Sequence, residues 1–135
     1  MGEITKIENK ISAVKKYLKI AERYRKYSRE EIEHNVDVRG MVERYLYLVA
    51  QATIDLAEAI VAYKGLRKPT TMSDAFYILE EEGIIDKDLV PLMVNMVGFR
   101  NVMAHNYEKV DYDIVYDVLH SGLEDVKKFL RTVCQ

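Results

Sequence analysis

Between Val38 and Tyr63 the chain runs without a proline, and apolar residues recur at helical spacing along two separate lines. Leu46, Val49, Thr53, Leu56 and Ile60 form one stripe; Tyr47, Ala50, Ile54, Ala57 and Val61 form another. A helix apolar on two sides either stands at the centre of a bundle or buries one face in its own core and the other in a partner. With only about four other helices available in so short a chain, the second arrangement is expected: a homodimer that meets through this helix.

The remaining segments agree with an all-α fold, an up-and-down bundle of four long helices plus one or two short helices in a single domain spanning 1–135. Two prolines and six glycines in 135 residues leave long stretches unbroken. Over 4–26, Ile4, Ile7, Ile11, Val14, Leu18 and Ala21 alternate at spacings of three and four, the seam of a bundle helix. Ser28 with Glu31 three positions later has the capping-box form, and 33–37 reads as an irregular turn. Gly65 suits the end of the long helix. Thr71 or Ser73 caps a short helix over 74–82, closed by Gly83. Asp86 caps a fifth helix with Pro91 in its first turn, and Asp111 or Asp113 opens a final one carrying Ile114, Val115, Val118, Leu119, Leu123, Val126, Leu130 and Val133.

Charge is unevenly spread. Residues 1–29 hold nine Lys/Arg against three acids, a balance of +6, whereas the rest hold eleven against nineteen, a balance of −8. Such a basic element offers a polyanion one face to approach, or is simply the solvated surface of a helix. The lone Cys134 allows no internal disulfide and suits a reducing compartment. No apolar run is read as a membrane span and Met1-Gly2-Glu3 does not open a signal peptide, so a cytoplasmic protein without a membrane partner is expected. No phosphate-binding glycine loop, His-Glu-x-x-His pair, cysteine cluster or Gly-x-Ser-x-Gly elbow occurs, and the Glu80-Glu81-Glu82 run lacks bundle-iron spacing; no cofactor is expected. His34 and His120 read as surface or cap residues.

The stretch Phe99-Arg100-Asn101-Val102-Met103-Ala104-His105-Asn106-Tyr107 is where chemistry concentrates. On a helix, Met93, Met96, Val97, Arg100, Met103, Ala104 and Tyr107 share a side, which sets Arg100 in an apolar stripe. A guanidinium there must be paired, hydrogen-bonded or at a wet cleft. Alternatively Arg and His merely favour a helix C-terminus. Arg100 and His105 are separated by about 140° and about 7.5 Å on an ideal helix. Their convergence is expected to need a frayed helix end, or a second copy across a two-fold axis. An imidazole moving protons and a guanidinium stabilising a phosphorane-like transition state suffice for RNA transesterification, with Asn101 and Tyr107 as phosphate or ribose ligands. The same groups serve plain anion binding.

Arg100-Asn101-Val102-Met103-Ala104-His105-Asn106-Tyr107 resembles the Arg-x4-6-His motif of the HEPN superfamily, in the Arg-x4-His-x-Tyr form of HepT-like toxins. Gly98-Phe99 before it, the long helix from Val42 to Tyr63, Pro69, and Gly83-Ile84-Ile85 extend the similarity over nearly the whole chain. The resemblance implies a homodimeric helical bundle that acts as a metal-independent endoribonuclease toxin on RNA. It further implies catalysis by Arg100 and His105, and an MNT-type nucleotidyltransferase antitoxin as partner, which silences the toxin by AMPylation of Tyr107. The alternative is a non-catalytic dimeric module that binds a nucleotidyltransferase or a nucleotide.

Overall fold

The two-sided helix is the axis of the molecule. In the computed structural model, which describes residues 2–134, it runs over Val36–Tyr63 (α3). Met1, part of the stretch weighed above as a signal peptide, lies outside the described residues. Against α3 pack α1 (Gly2–Glu22) on one side and α4 (Met72–Glu81) and α5 (Leu89–His105) on the other, with α2 (Arg29–His34) near its start. The chain closes with α6 (Tyr112–Asp117), a π-helical turn (Val118–Gly122) and α7 (Leu123–Val133), in effect one long irregular helix. Four long helical stretches and two short helices, with no strand among the described residues, make the expected all-α bundle.

One sequence argument loses its premise here. Leu46, Val49, Thr53, Leu56 and Ile60, and on the other stripe Ala50, Ile54, Ala57 and Val61, are all buried by this chain's own helices. The helix is central, so its two apolar faces give no reason to invoke a partner. Thr53 sits in the stripe without penalty because its hydroxyl donates to the Val49 carbonyl at 2.7 Å. By length and composition alone α3 is apolar enough to cross a membrane, contrary to the sequence reading. It instead finds its apolar surroundings in the bundle core, where Phe76 and Phe129 meet edge to face at 5.5 Å between ring centres.

Local chemistry sets the boundaries. Ser28 and Glu31 form a reciprocal capping box. The irregular stretch shrinks to Asn35, whose side chain accepts from the amides of Asp37 and Val38 and so starts α3 two residues before the expected position. Thr71 and Asp111 cap α4 and α6 in the same way. Asp86 makes no side-chain cap; its carbonyl accepts from Leu89 in the turn before α5. Gly65 and Gly83 take φ of 65° and 70°, letting the next amides reach back to the carbonyls of Val61 and Leu79.

Part of the basic N-terminal charge is structural. Arg25 donates to the carbonyls of Leu119 (2.9 Å) and His120 (3.1 Å) and to Glu124, and Lys127 reaches back to Glu22 at 2.7 Å. Arg29 pairs with Asp113 and Glu33. These contacts fasten the end of α1 to the π turn. Gly122 gives that turn room, because a β-carbon there would stand 3.0 Å from Val118 Cγ1 and press on its side chain.

Candidate active site

Helix α5 carries the catalytic candidates out of the core. Met93, Met96, Val97 and Phe99 are buried, Arg100 and Met103 are half-buried, and Asn101, Ala104 and His105 are exposed. Arg100 therefore stands at the rim of the apolar stripe and not within it. The helix stays regular through His105 and ends at Asn106, which leaves helical geometry at φ −130°, ψ 48°. Tyr107 is consequently not on the α5 face; it opens a 3-10 turn, Tyr107–Lys109.

Arg100 and His105 nevertheless meet within one chain. Arg100 Nη1 lies 3.4 Å from His105 Nε2 and 3.0 Å from Asn101 Oδ1. Neither fraying ahead of His105 nor a second copy is needed, because the arginine side chain is long enough to fold along the helix toward its C-terminal end. A guanidinium has only donors, so a hydrogen bond at this contact requires Nε2 as the acceptor and the ring proton on Nδ1. Asn101 faces Arg100 as an acceptor.

The wall that holds this group comes from α3 and was not singled out from sequence. Arg39, Glu43, Gln51 and Asp55 stand at multiples of four along the helix, with Tyr47 of the second apolar stripe between them. Gln51 Oε1 accepts from Arg100 Nε at 2.7 Å, while Gln51 Nε2 donates to Asp55 at 2.8 Å. Asp55 thereby fixes which end of the amide faces the arginine. The Tyr47 ring lies 5.7 Å from the Arg100 guanidinium and 6.0 Å from that of Arg44. Arg100 is thus held by a neutral amide and a ring face, and among the described residues no carboxylate pairs with it. Among the described residues no hydrogen bond engages its Nη2. The row of polar residues at spacing four was the legible signal.

Glu43 is the second unforeseen residue. It is only 6% exposed, yet among the described residues no Lys or Arg forms a salt bridge with it. Its carboxylate accepts from Tyr107 Oη at 2.6 Å and from Tyr112 Oη at 3.0 Å. The hydrogen bond to Glu43, and then burial, raise the Tyr107 phenol above its ordinary value. Burial first, then Glu43, push Tyr112 up to about 12. Tyr107 thus turns its hydroxyl toward Glu43 and not toward Arg100, although the residue is 52% exposed. Glu43, Arg44, Tyr47, Met103, Ala104 and Tyr107 line a cleft of about 350 Å³ beside these groups.

The remaining histidines lie elsewhere. His34 is exposed at the end of α2 near Glu30 and Glu33. A Glu-x-x-His spacing does occur there, at Glu31–His34, but Glu31 is engaged in the capping box. His120 is not a surface residue: it is half-buried, 4.4 Å from the Tyr116 ring, with Nε2 enclosed and unpartnered.

The family model described as ribonuclease HepT-like matches residues 14–133. The mRNA nuclease HepT of Shewanella oneidensis is 30% identical over 128 residues, 94% of this chain and 95% of that protein. The tRNA nuclease HepT of Aphanizomenon flos-aquae is 24% identical over 127 residues, covering 94% and 86%. A solved structure of a tri-AMPylated HEPN toxin of Shewanella oneidensis in complex with MNT antitoxin shares the fold at TM-score 0.85 and 28% identity, covering 95% of this chain and 96% of that one.

Proposed function

This chain belongs to the HepT-like ribonuclease family, and from that premise we propose that it is a cytoplasmic, metal-independent endoribonuclease, the toxin of a HEPN/MNT toxin–antitoxin pair. The observation that carries the reading is the approach of Arg100 Nη1 to His105 Nε2 at 3.4 Å at an exposed helix end. When an RNA phosphate takes the guanidinium, Nε2 is released from that contact. It is then free to accept the 2′-hydroxyl proton as the oxygen attacks the adjacent phosphorus. Arg100, aimed by Gln51 and carrying an uncancelled charge, stabilises the extra negative charge on the phosphorane-like transition state. The 5′-oxygen departs on the side opposite the attack and takes its proton from solvent. Asn101 binds the phosphate or ribose. None of these contacts reads a base, so the chemistry itself is indifferent to sequence.

The toxin acts as a homodimer. Val36, Met41 and Ile114, on the N-terminal part of α3 and on α6, stay exposed in the single chain and support a second copy there. Its cognate partner is an MNT-type nucleotidyltransferase that transfers AMP to Tyr107. The bulky anion so placed repels RNA from the Arg100 cleft.

The test uses purified protein, an RNA pool and excess chelator. Cleavage yielding 2′,3′-cyclic phosphate ends should persist with chelator present and fall by about 10²–10⁴-fold in Arg100→Ala and in His105→Ala. Cleavage that survives both substitutions would sink the catalytic assignment. A monomeric mass by light scattering at micromolar concentration would sink the dimer.

A further inference from the structure

We infer that Glu43 is a catalytic residue of the transfer that silences this protein: its carboxylate takes the Tyr107 hydroxyl proton as the phenol oxygen attacks the nucleotide. The inference rests on the reading of Tyr107 as the AMP acceptor. In the step, Tyr107 Oη attacks the α-phosphorus of a purine nucleoside triphosphate. The Oη–P bond forms, the bond from that phosphorus to the bridging oxygen of pyrophosphate breaks, and pyrophosphate leaves with the electron pair. The phenolic proton passes to Glu43 Oε1. The toxin thus supplies the base for its own modification, and the transferase supplies the activated nucleotide.

Three observations carry this. Glu43 Oε1 is 2.6 Å from Tyr107 Oη, within direct proton-transfer range. Glu43 Oε2 is taken by Tyr112 at 3.0 Å, which leaves Oε1 oriented toward Tyr107 and still solvates the carboxyl once it is protonated. Both Glu43 and Tyr107 line the 350 Å³ cleft together with Arg44, so a phosphate entering there meets the nucleophile, the base and a cation at once. Tyr107 also needs a base. Its phenol titrates above the ordinary value and is un-ionised near neutrality. Among the described residues, Tyr107 on the 3-10 turn and Tyr112 on α6 hydrogen-bond Glu43, Arg44 shares its cleft, and Arg39 on the same helix is close enough to act on both phenols. None of them is a base at neutral pH.

The experiment follows AMP addition by intact mass, with the full-length chain, its cognate MNT-type transferase and MgATP, as initial rates from acid to alkaline pH. Glu43→Gln keeps the size and the accepting oxygen but cannot take a proton. It should slow transfer at neutral pH by about 10²-fold or more. Its remaining rate should climb toward alkaline pH as Tyr107 ionises by itself. Wild type should instead lose rate only toward acid pH, and Glu43→Asp should retain that acid-side fall at a reduced rate. Helical circular dichroism and melting show which variants fold; if Glu43→Gln does not, the wild-type and Glu43→Asp profiles decide. A Gln variant modified as fast as wild type overturns the role of Glu43 alone. So does a slower one with an unchanged pH profile, or a wild-type rate without the acid-side fall. Wild type that gains no AMP overturns the acceptor reading and this inference with it.

Discussion

Glu43 makes a sharp stability prediction, because a carboxylate only 6% exposed depends on two phenols for its hydrogen bonds. A hydrogen bond to a charged group contributes about 1.5–3 kcal/mol, and an acceptor left unsatisfied in the interior costs a comparable amount. Tyr112 is the more enclosed donor, so Tyr112→Phe should destabilise by about 2 kcal/mol. Tyr107 is half exposed, and water can replace its hydroxyl, so Tyr107→Phe should cost only about 1 kcal/mol. The double variant strands the carboxylate with no side-chain donor. It should exceed the sum of the single changes by a coupling of about 1 kcal/mol or more. At about 4 °C per kcal/mol for a domain of this size, Tyr112→Phe should lower Tm by roughly 8 °C. Urea and thermal unfolding at neutral pH, far below the phenol titrations, measure all four corners of the cycle. Single effects each below about 0.5 kcal/mol that add without coupling would refute the reasoning. Glu43 would then be hydrated and not held by the two tyrosines.

Gln51→Leu removes the acceptor that aims Arg100; it should reduce RNA cleavage by about tenfold or more, mainly in kcat, with little effect on melting, as single-turnover kinetics would measure. Arg25→Met leaves the carbonyls of Leu119 and His120 without their guanidinium donor and should cost about 2 kcal/mol in urea unfolding, loosening the π turn first by hydrogen exchange. Tyr112 titrates higher folded than unfolded, so its contribution to stability is complete below pH 10 and is lost as pH rises toward about 12; phenolate absorbance should show this tyrosine ionising with alkaline unfolding. Arg67 holds Asp74 down to about 2, so stability from that pair is present above the unfolded value of 3.8 and lost as pH falls through about 2; Arg67→Ala should return the Asp74 titration, followed by NMR, toward 3.8.

The sequence by itself determined the helices, because their signals are local. Apolar spacing, the Ser28–Glu31 box, the Thr71 cap and the left-handed glycines at 65 and 83 act within one or two turns. The Arg-x4-His-x-Tyr spacing was local too and brought the candidate chemistry into view. Three matters depended on tertiary structure. Whether a two-sided helix faces a partner or its own chain depends on how many helices surround it, and periodicity does not count neighbours. Whether Arg100 and His105 meet depends on which way a long side chain folds, and here Gln51, 49 positions away, holds Nε and sends Nη1 toward the imidazole. The fate of Tyr107 turns on a carboxylate 64 positions earlier in the chain. Glu43 and Gln51 stood in a visible polar row, but a row on one helix does not say what it faces. Only packing α3 against α5 and α6 makes a buried carboxylate and an amide the partners of Tyr107 and Arg100.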